Sequence, residues 1–243
     1  MQLSDIVILS GARTPIGSFG GALASQSPAQ LGTVAATAAI QRAGVVATAV
    51  DVSVFGHIIT TGSDDVYLAR QIALQSGMAA RSNAFGVNRL CGSGLQAIIS
   101  AAQQLLLGDG QLALCGGAES MSQGAFLLPG VRKGLRVGHA AVTDLTLAIL
   151  TDPFGSGHMG ITAENIAAKY QFNRQQLDAF ALESQQRAAR AQQAGYFAGQ
   201  IVPVEISGKT TLQVDQDEHL RPNTTLENLS QLKPAFQPNG MVT

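Results

Sequence analysis

The stretch "NAFGVNRLCGSGLQAIISAAQQLLLG" (Asn83–Gly108) decides how this chain folds. "NAFGVN" reads as a short strand, and the run from Leu95 onward reads as a helix. Leu95, Ile98, Ile99, Ala102, Leu105 and Leu106 recur at i, i+3 and i+4, which predicts a buried apolar stripe. Cys91 stands between the two elements, at a strand-to-helix turn. A helix N-terminus presents unpaired N–H groups and partial positive charge, which favour thiolate over thiol. Gly92 and Gly94 let the backbone turn tightly and let a substrate come close. The N–H of Cys91 or of a neighbour could donate to an oxyanion on an attacked carbonyl. The logic resembles a nucleophile elbow with sulfur in place of oxygen. The competing reading is a buried core thiol, since free cysteine is among the most buried residue types. Position alone leaves both open. The second cysteine, Cys115, lies in the apolar run "LALC" and reads as core.

Around this stretch, short apolar runs alternate with helical patterns. "DIVILSGA" (5–12), "VSVFGHII" (52–59) and "QLALCGG" (111–117) read as three further strands. "SPAQLGTVAATAAIQRAG" opens with Ser27 as N-cap and Pro28 at N1, and Gly44 stops it. "DDVYLARQIALQSG" is a shorter helix ended by Gly77. Such alternation predicts an α/β fold with a largely parallel sheet covered on both faces. The glycine-rich "GARTPIGSFGG" (11–21) lacks G-x-G-x-x-G spacing, so it reads as a structural turn and not a dinucleotide site.

After about residue 121 the pattern changes. A loop-like stretch follows, with Arg132, Lys133 and Arg136 close together. Helical patterns cover 143–150 and 162–171, and the turn "TDPFGSGHMG" separates them. The longest helix starts at Asn173, which forms a capping-box-like pair with Gln176, and ends at Gly195. "QIVPVEI" reads as a strand, and the rest is polar and turn-rich. Residues 1–121 are thus expected to form an α/β domain, and 122–243 a mostly helical companion.

Composition bounds the remaining possibilities. A formal net charge of −1 gives no global attraction to nucleic acid. No apolar run reaches the roughly 18 residues of a membrane span, and the N-terminus lacks a basic signal-like region. Two cysteines make no disulfide framework, which predicts a reducing, cytoplasmic setting. No Cys/His cluster has metal-ligand spacing, so no metal is expected. His57, His139 and His219 read as structural or exposed.

Four motifs in order, "GARTPIGSFGG", "NRLCGSGLQA", "GGAESMS" (116–122) and "HMGITAEN" (158–165), resemble signatures of the thiolase family. "DEHLRPNTTLENLSQLKPAF" (217–236) resembles the end of that family's loop domain. "NRLCGSGLQAI" and "LTDPF" lean toward broad-chain β-ketothiolases rather than acetyl-CoA acetyltransferases. The resemblance implies a Claisen condensation of two acetyl-CoA, or thiolytic cleavage of 3-ketoacyl-CoA. Both run through an acyl-thioester on Cys91. It implies CoA contacts from Leu150, His158, Met159 and Phe236, and from Arg221 near the adenine end. The basic cluster falls in what resembles the family's tetramerisation loop, where it could meet CoA phosphates. CoA thioesters are substrates, so no cofactor is implied. A homodimer or homotetramer is expected, with no nucleic-acid or membrane partner.

Three further motifs of the family, "NEAF", "GHP" and "CxGGG", do not occur in the sequence. In the family they supply an oxyanion-hole Asn, an activating His and a second Cys that moves the α-proton. Cys115 does not replace that cysteine, because its setting matches another part of the pattern. The expectation is therefore a thiolase-like N-terminal domain lacking its last strand, plus the loop domain (122–243), with the C-terminal domain absent. Such a chain would be weakly active or inactive alone. It could pair with a C-terminal half on a separate chain. The alternative is a non-catalytic fragment that binds CoA or only assembles.

Overall fold

The computed structural model describes residues 5–135 and 137–243. Arg136 of the basic cluster lies outside the described residues. The chain forms two compact units, residues 1–145 with 200–218, and residues 146–199 with 219–243. The segment 200–218 therefore belongs with the first unit, although it follows the longest helix. Its anchor is local chemistry. Asp217 pairs with Arg13 at 2.7 Å, and Glu218 accepts N–H groups of Ser18 and Ala22.

The first unit is built on a parallel sheet of β1 (Val52–Gly56), β2 (Asn83–Val87) and β3 (Ala113–Gly117), in the order β2-β1-β3. Helix α1 (Pro28–Arg42) starts at the expected N-cap Ser27, with Pro28 in its first turn, and Gln30 completes a capping box there. Helix α2 (Leu68–Gln75) follows a 3₁₀ turn at Ser63–Tyr67. Helix α3 spans Ser93–Leu107 and ends at Gly108, whose φ of 88° suits glycine. All of β1 is buried, because it is central and covered on both faces. Phe55 joins the cluster of α1 and α2 that includes Ala36, Ile40, Leu68 and Ile72. Val52 and Val54 meet Ala97 and Ala101 of α3. Two antiparallel pairs complete this unit, β4 (Phe126–Leu127) with β5 (Thr143–Asp144), and β8 (Val204–Ile206) with β9 (Leu212–Val214).

Two sequence expectations are corrected. The run 5–12 is not a buried strand. Val7, Ile8 and Leu9 are exposed, Ile8 by 80%. The nearest ladder contact is an isolated bridge from Arg13 to Ile201. An apolar run supplies a reason to be buried, but a strand also needs an edge to pair with. Among the described residues none pairs with 5–12. The second correction concerns α3. Its sheet-facing side is made of Ser93, Ala97 and Ala101, all buried, whereas Leu95 is 66% exposed and Ile98 and Ile99 are also exposed. Small side chains let the helix lie close on β1 and β3, so the large ones turn outward. The window Leu90–Leu107 also meets the length and hydropathy of a membrane span, at a mean hydropathy of 1.3, against the expectation that no run would. Its packing on a parallel sheet is that of a layered α/β helix.

The short helix α4 (Leu145–Ile149) falls at the division between the units. In the second unit the hairpin β6 (Thr151–Asp152) and β7 (Gly157–His158) leads into α5 (Met159–Lys169). Helix α6 (Arg174–Gln193) begins at the expected Asn173–Gln176 capping box, and α7 (Leu226–Ser230) follows later. Arg174 donates to the carbonyls of Leu229 and Leu232, fixing α7 beside α6.

Candidate active site

Cys91 is exposed and lies between the end of β2 and the start of α3. Ligands of parallel α/β sheets gather outside the carboxyl ends of strands, and Cys91 occupies that end. The preceding residue, Leu90, has φ of 48°, a conformation that costs a non-glycine residue about 1–2 kcal/mol. Strain of this kind persists where surrounding bonds over-determine it. Here the Leu90 N–H donates to Asn88 Oδ1, and the Leu90 carbonyl accepts from both the N–H and the hydroxyl of Ser93. Ser93 Oγ also accepts the Arg89 N–H at 2.8 Å. Ser93 thus ties both sides of the cysteine, and it is buried. Sequence reading used Gly92 and Gly94 and passed over Ser93. The signal was a lone hydroxyl in a Gly-Ser-Gly turn.

No side chain caps α3. Among the nearby N–H groups, Gly92 donates to Arg89 O and Ser93 to Leu90 O. These two are spent, which narrows the expected oxyanion donors. The floor beneath the turn is β1. A Cβ at Gly56 would stand 2.8 Å from the Ser93 backbone, so glycine is required for this approach. Cys115 packs with Val52, Val54 and Ala97, and burial pushes its thiol pKa up, which makes it an unreactive core thiol. The "GARTPIGSFGG" loop already gives N–H groups to two carboxylates of the 200–218 segment. Ile16 donates to Asp217, and Ser18 and Ala22 donate to Glu218, where a phosphate would otherwise have to compete.

In the second unit, four sequence-predicted residues are gathered. The Met159 N–H donates to the Leu150 carbonyl at 2.8 Å. His158 is the N-cap of α5, its Nδ1 accepting the Gly160 N–H at 3.0 Å. The proton of a neutral ring is therefore on Nε2. The ring stacks on Phe236, with centroids 5.2 Å apart and planes at 19°. A Cβ at Gly160 would overlap the Phe236 ring, so glycine makes this stack possible. Buried Glu164 then holds the following strand of chain, accepting the N–H groups of Met241 and Val242. Phe236 walls a shallow recess along 233–239, where Lys233 supplies a cation that the sequence reading did not single out. Arg221 is anchored separately, its N–H on Gln185 of α6 and its carbonyl capped by Thr224. Lys133 lies in a 3₁₀ turn with Arg132, both exposed.

Comparison with known proteins gives a consistent picture. The family model of the thiolase N-terminal domain matches residues 6–243. A β-ketothiolase of Cupriavidus necator is 48% identical over 241 residues, covering 98% of this chain and 61% of that protein. A mitochondrial 3-ketoacyl-CoA thiolase of Bos taurus is 42% identical, over 99% of this chain and 61% of its own length. The crystal structure of an acetyl-CoA acetyltransferase from Bacillus anthracis superposes with a TM-score of 0.93 at 39% identity, covering 98% of this chain and 60% of that one. A human mitochondrial 3-ketoacyl-CoA thiolase in complex with CoA gives 0.90 at 39% identity, covering 97% and 59%. The chain spans about three-fifths of the length of these relatives.

Proposed function

The chain belongs to the thiolase family, matching its N-terminal domain, and on that premise we propose that Cys91 is the nucleophile of a CoA-dependent acyltransferase. The observation that carries this is the exposed Cys91 behind strained Leu90, held by Ser93 at the carboxyl end of a parallel sheet. The Cys91 thiolate attacks the carbonyl carbon of acetyl-CoA, the carbon–sulfur bond to CoA breaks, and CoA leaves as the thiol after taking a proton. The enolate of a second acetyl-CoA then attacks the acyl-cysteine, and the Cys91 thiolate is released with acetoacetyl-CoA. Thiolytic cleavage of 3-ketoacyl-CoA is the same path reversed. The names of the relatives support both substrate classes.

The roles of the second unit follow the same proposal. Leu150, Met159 and the His158–Phe236 stack form an apolar wall for the pantetheine and acyl end. Arg221 contacts the adenine end. These 243 residues carry the acyl acceptor, Cys91, while activation of its thiol and proton transfer at the α-carbon use the "GHP" histidine and the "CxGGG" cysteine, motifs that this sequence does not contain. Turnover by the 243 residues alone is therefore slow or absent, and a chain bearing those motifs restores it. The exposed Leu95, Ile98 and Ile99 on α3, and Val7–Leu9, support assembly into a homo-oligomer or with such a chain in the cytoplasm.

Intact mass after incubation with acetyl-CoA tests the reading. A single acetyl adduct is expected, absent in Cys91→Ser. No adduct on the wild-type chain, with CoA still bound, would support a non-catalytic CoA-binding fragment instead.

A further inference from the structure

His57, which follows β1, is the one imidazole enclosed by two carboxylates among the described residues. Its side chain is 11% exposed, and that of Asp65 is 10%. Nδ1 lies 3.0 Å from the Ala118 carbonyl and 3.1 Å from Glu119 Oε1. Both are acceptors, so Nδ1 must carry a proton. Nε2 is buried, makes no hydrogen bond, and lies 3.4 Å from Asp65 Oδ2. A neutral ring would leave an Nε2 lone pair beside that carboxylate oxygen, two centres of negative charge 3.4 Å apart. An imidazolium removes the repulsion and turns it into attraction, whichever way the ring is flipped. The carboxylates are themselves fixed. Glu119 accepts the N–H groups of Ile58 and Ile59. Asp65 accepts the N–H and hydroxyl of Thr61 and the N–H of Gly62. Charged His57 therefore fastens the segment after β1 to the segment after β3.

That fastening reaches the cysteine turn through main chain. The His57 N–H donates to Val87 O at the end of β2, and the Ala118 N–H donates to Gly56 O. Gly56 abuts Ser93, which holds Arg89 and Leu90 on the near side of Cys91. We propose that His57 is a positioning residue, an imidazolium strap that fixes the carboxyl ends of β1 and β3 through Glu119 and Asp65 and thereby sets the Cys91 turn, and that loss of its proton loosens the turn.

The electrostatics agree in sign. Burial opposes the charge, but the Glu119 hydrogen bond, the Ala118 carbonyl and the fields of Glu119 and Asp65 outweigh it, so the His57 pKa is raised above 6.5. A raised folded-state pKa gives stability that is complete below 6.5 and is lost as pH rises through the raised value. Asp65 moves the other way. Burial would raise its pKa, yet the bonds from Thr61 and Gly62 and the His57 charge lower it below 3.8. Its contribution is present above 3.8 and is lost as pH falls through the lowered value. The strap is intact between these limits.

The test uses the 243-residue chain. It needs no thioester chemistry, so it stands or falls separately from the acyl-transfer reading on which the functional meaning of Cys91 rests. The NMR titration of the His57 ring is expected above the ordinary imidazole range, and titration at or below that range overturns the proposal. Alkylation of the Cys91 peptide by iodoacetamide is followed from acid to alkaline pH. Beyond simple thiolate ionisation, the wild-type rate is expected to change about fivefold across the His57 titration, the low end of site-to-site coupling. In His57→Gln this second inflection disappears, while His139→Gln retains it. An inflection that survives in His57→Gln, or its absence in the wild type, overturns the strap. If His57→Gln does not fold, Glu119→Gln carries the same test. There the inflection must move to lower pH, and an unmoved inflection overturns the proposal.

Discussion

The Cys91 turn and the His158 stack hold their key residues by different means. In the first unit the cysteine is set by main chain meeting main chain. Gly56 touches Ser93, Ser93 bonds back across the turn to Arg89 and Leu90, and Ala97 and Ala101 lie flat on the sheet. In the second unit, side chains do the holding. One ring stacks on His158, and one buried carboxylate gathers the N–H groups of Met241 and Val242. The nucleophile proposed at Cys91 would have to be placed to a fraction of an ångström, and close backbone packing does that. The wall proposed for an acyl chain would tolerate adjustable side chains. The comparison predicts that the first region fails when an atom is added, and the second when one is removed.

The largest effect is expected from Gly56→Ala. Its Cβ would lie 2.8 Å from the Ser93 backbone, which cannot move without moving the turn. Overpacking of this kind costs about 3 kcal/mol. Thermal unfolding should register it, together with a changed alkylation rate at Cys91. An unchanged melting temperature would show that the Gly56–Ser93 approach does not hold the turn. Next is Glu164→Ala, which strips the acceptor from two backbone N–H groups and should cost about 2 kcal/mol. Hydrogen exchange should speed at Met241 and Val242 and stay unchanged at Ser93. Matching changes in both regions would show that they are not held independently. The smallest effect is expected from Ile98→Ser on the outer face of α3, within about 0.5 kcal/mol for an exposed site in the separate chain. A loss well beyond that, at concentrations where the chain self-associates, would sharpen the picture by showing that face to be covered.

Local signals were legible in the sequence because they act within a few residues. Ser27 with Pro28, and Asn173 with Gln176, name the starts of α1 and α6 and do so in the structure. Gly44, Gly77 and Gly195 adopt positive φ at the expected stops, and Gly108 does so at the end of α3. The positions of β1, β2 and β3 along the chain, and the place of Cys91 between β2 and α3, were also readable. What failed was anything that needed a partner from far along the chain. The run 5–12 is as apolar as a strand, yet no described segment pairs with it. The large residues of α3 have helical periodicity, but periodicity cannot say that alanines will take the sheet. His57 read as structural or exposed, because Asp65 and Glu119 come together around it only after three strands align.

By itself, then, the sequence determined the family, the parallel α/β layout, the helix caps and the place of Cys91 at a strand-to-helix turn. Each rests on short-range patterns or on motifs in fixed order. Tertiary structure alone decided which face of α3 meets the sheet, that Ser93 and Gly56 hold the strained Leu90, and that His57 sits between two carboxylates. Those outcomes depend on distances between residues far apart in the chain, where close packing and buried charge set the energy, and no local pattern encodes them.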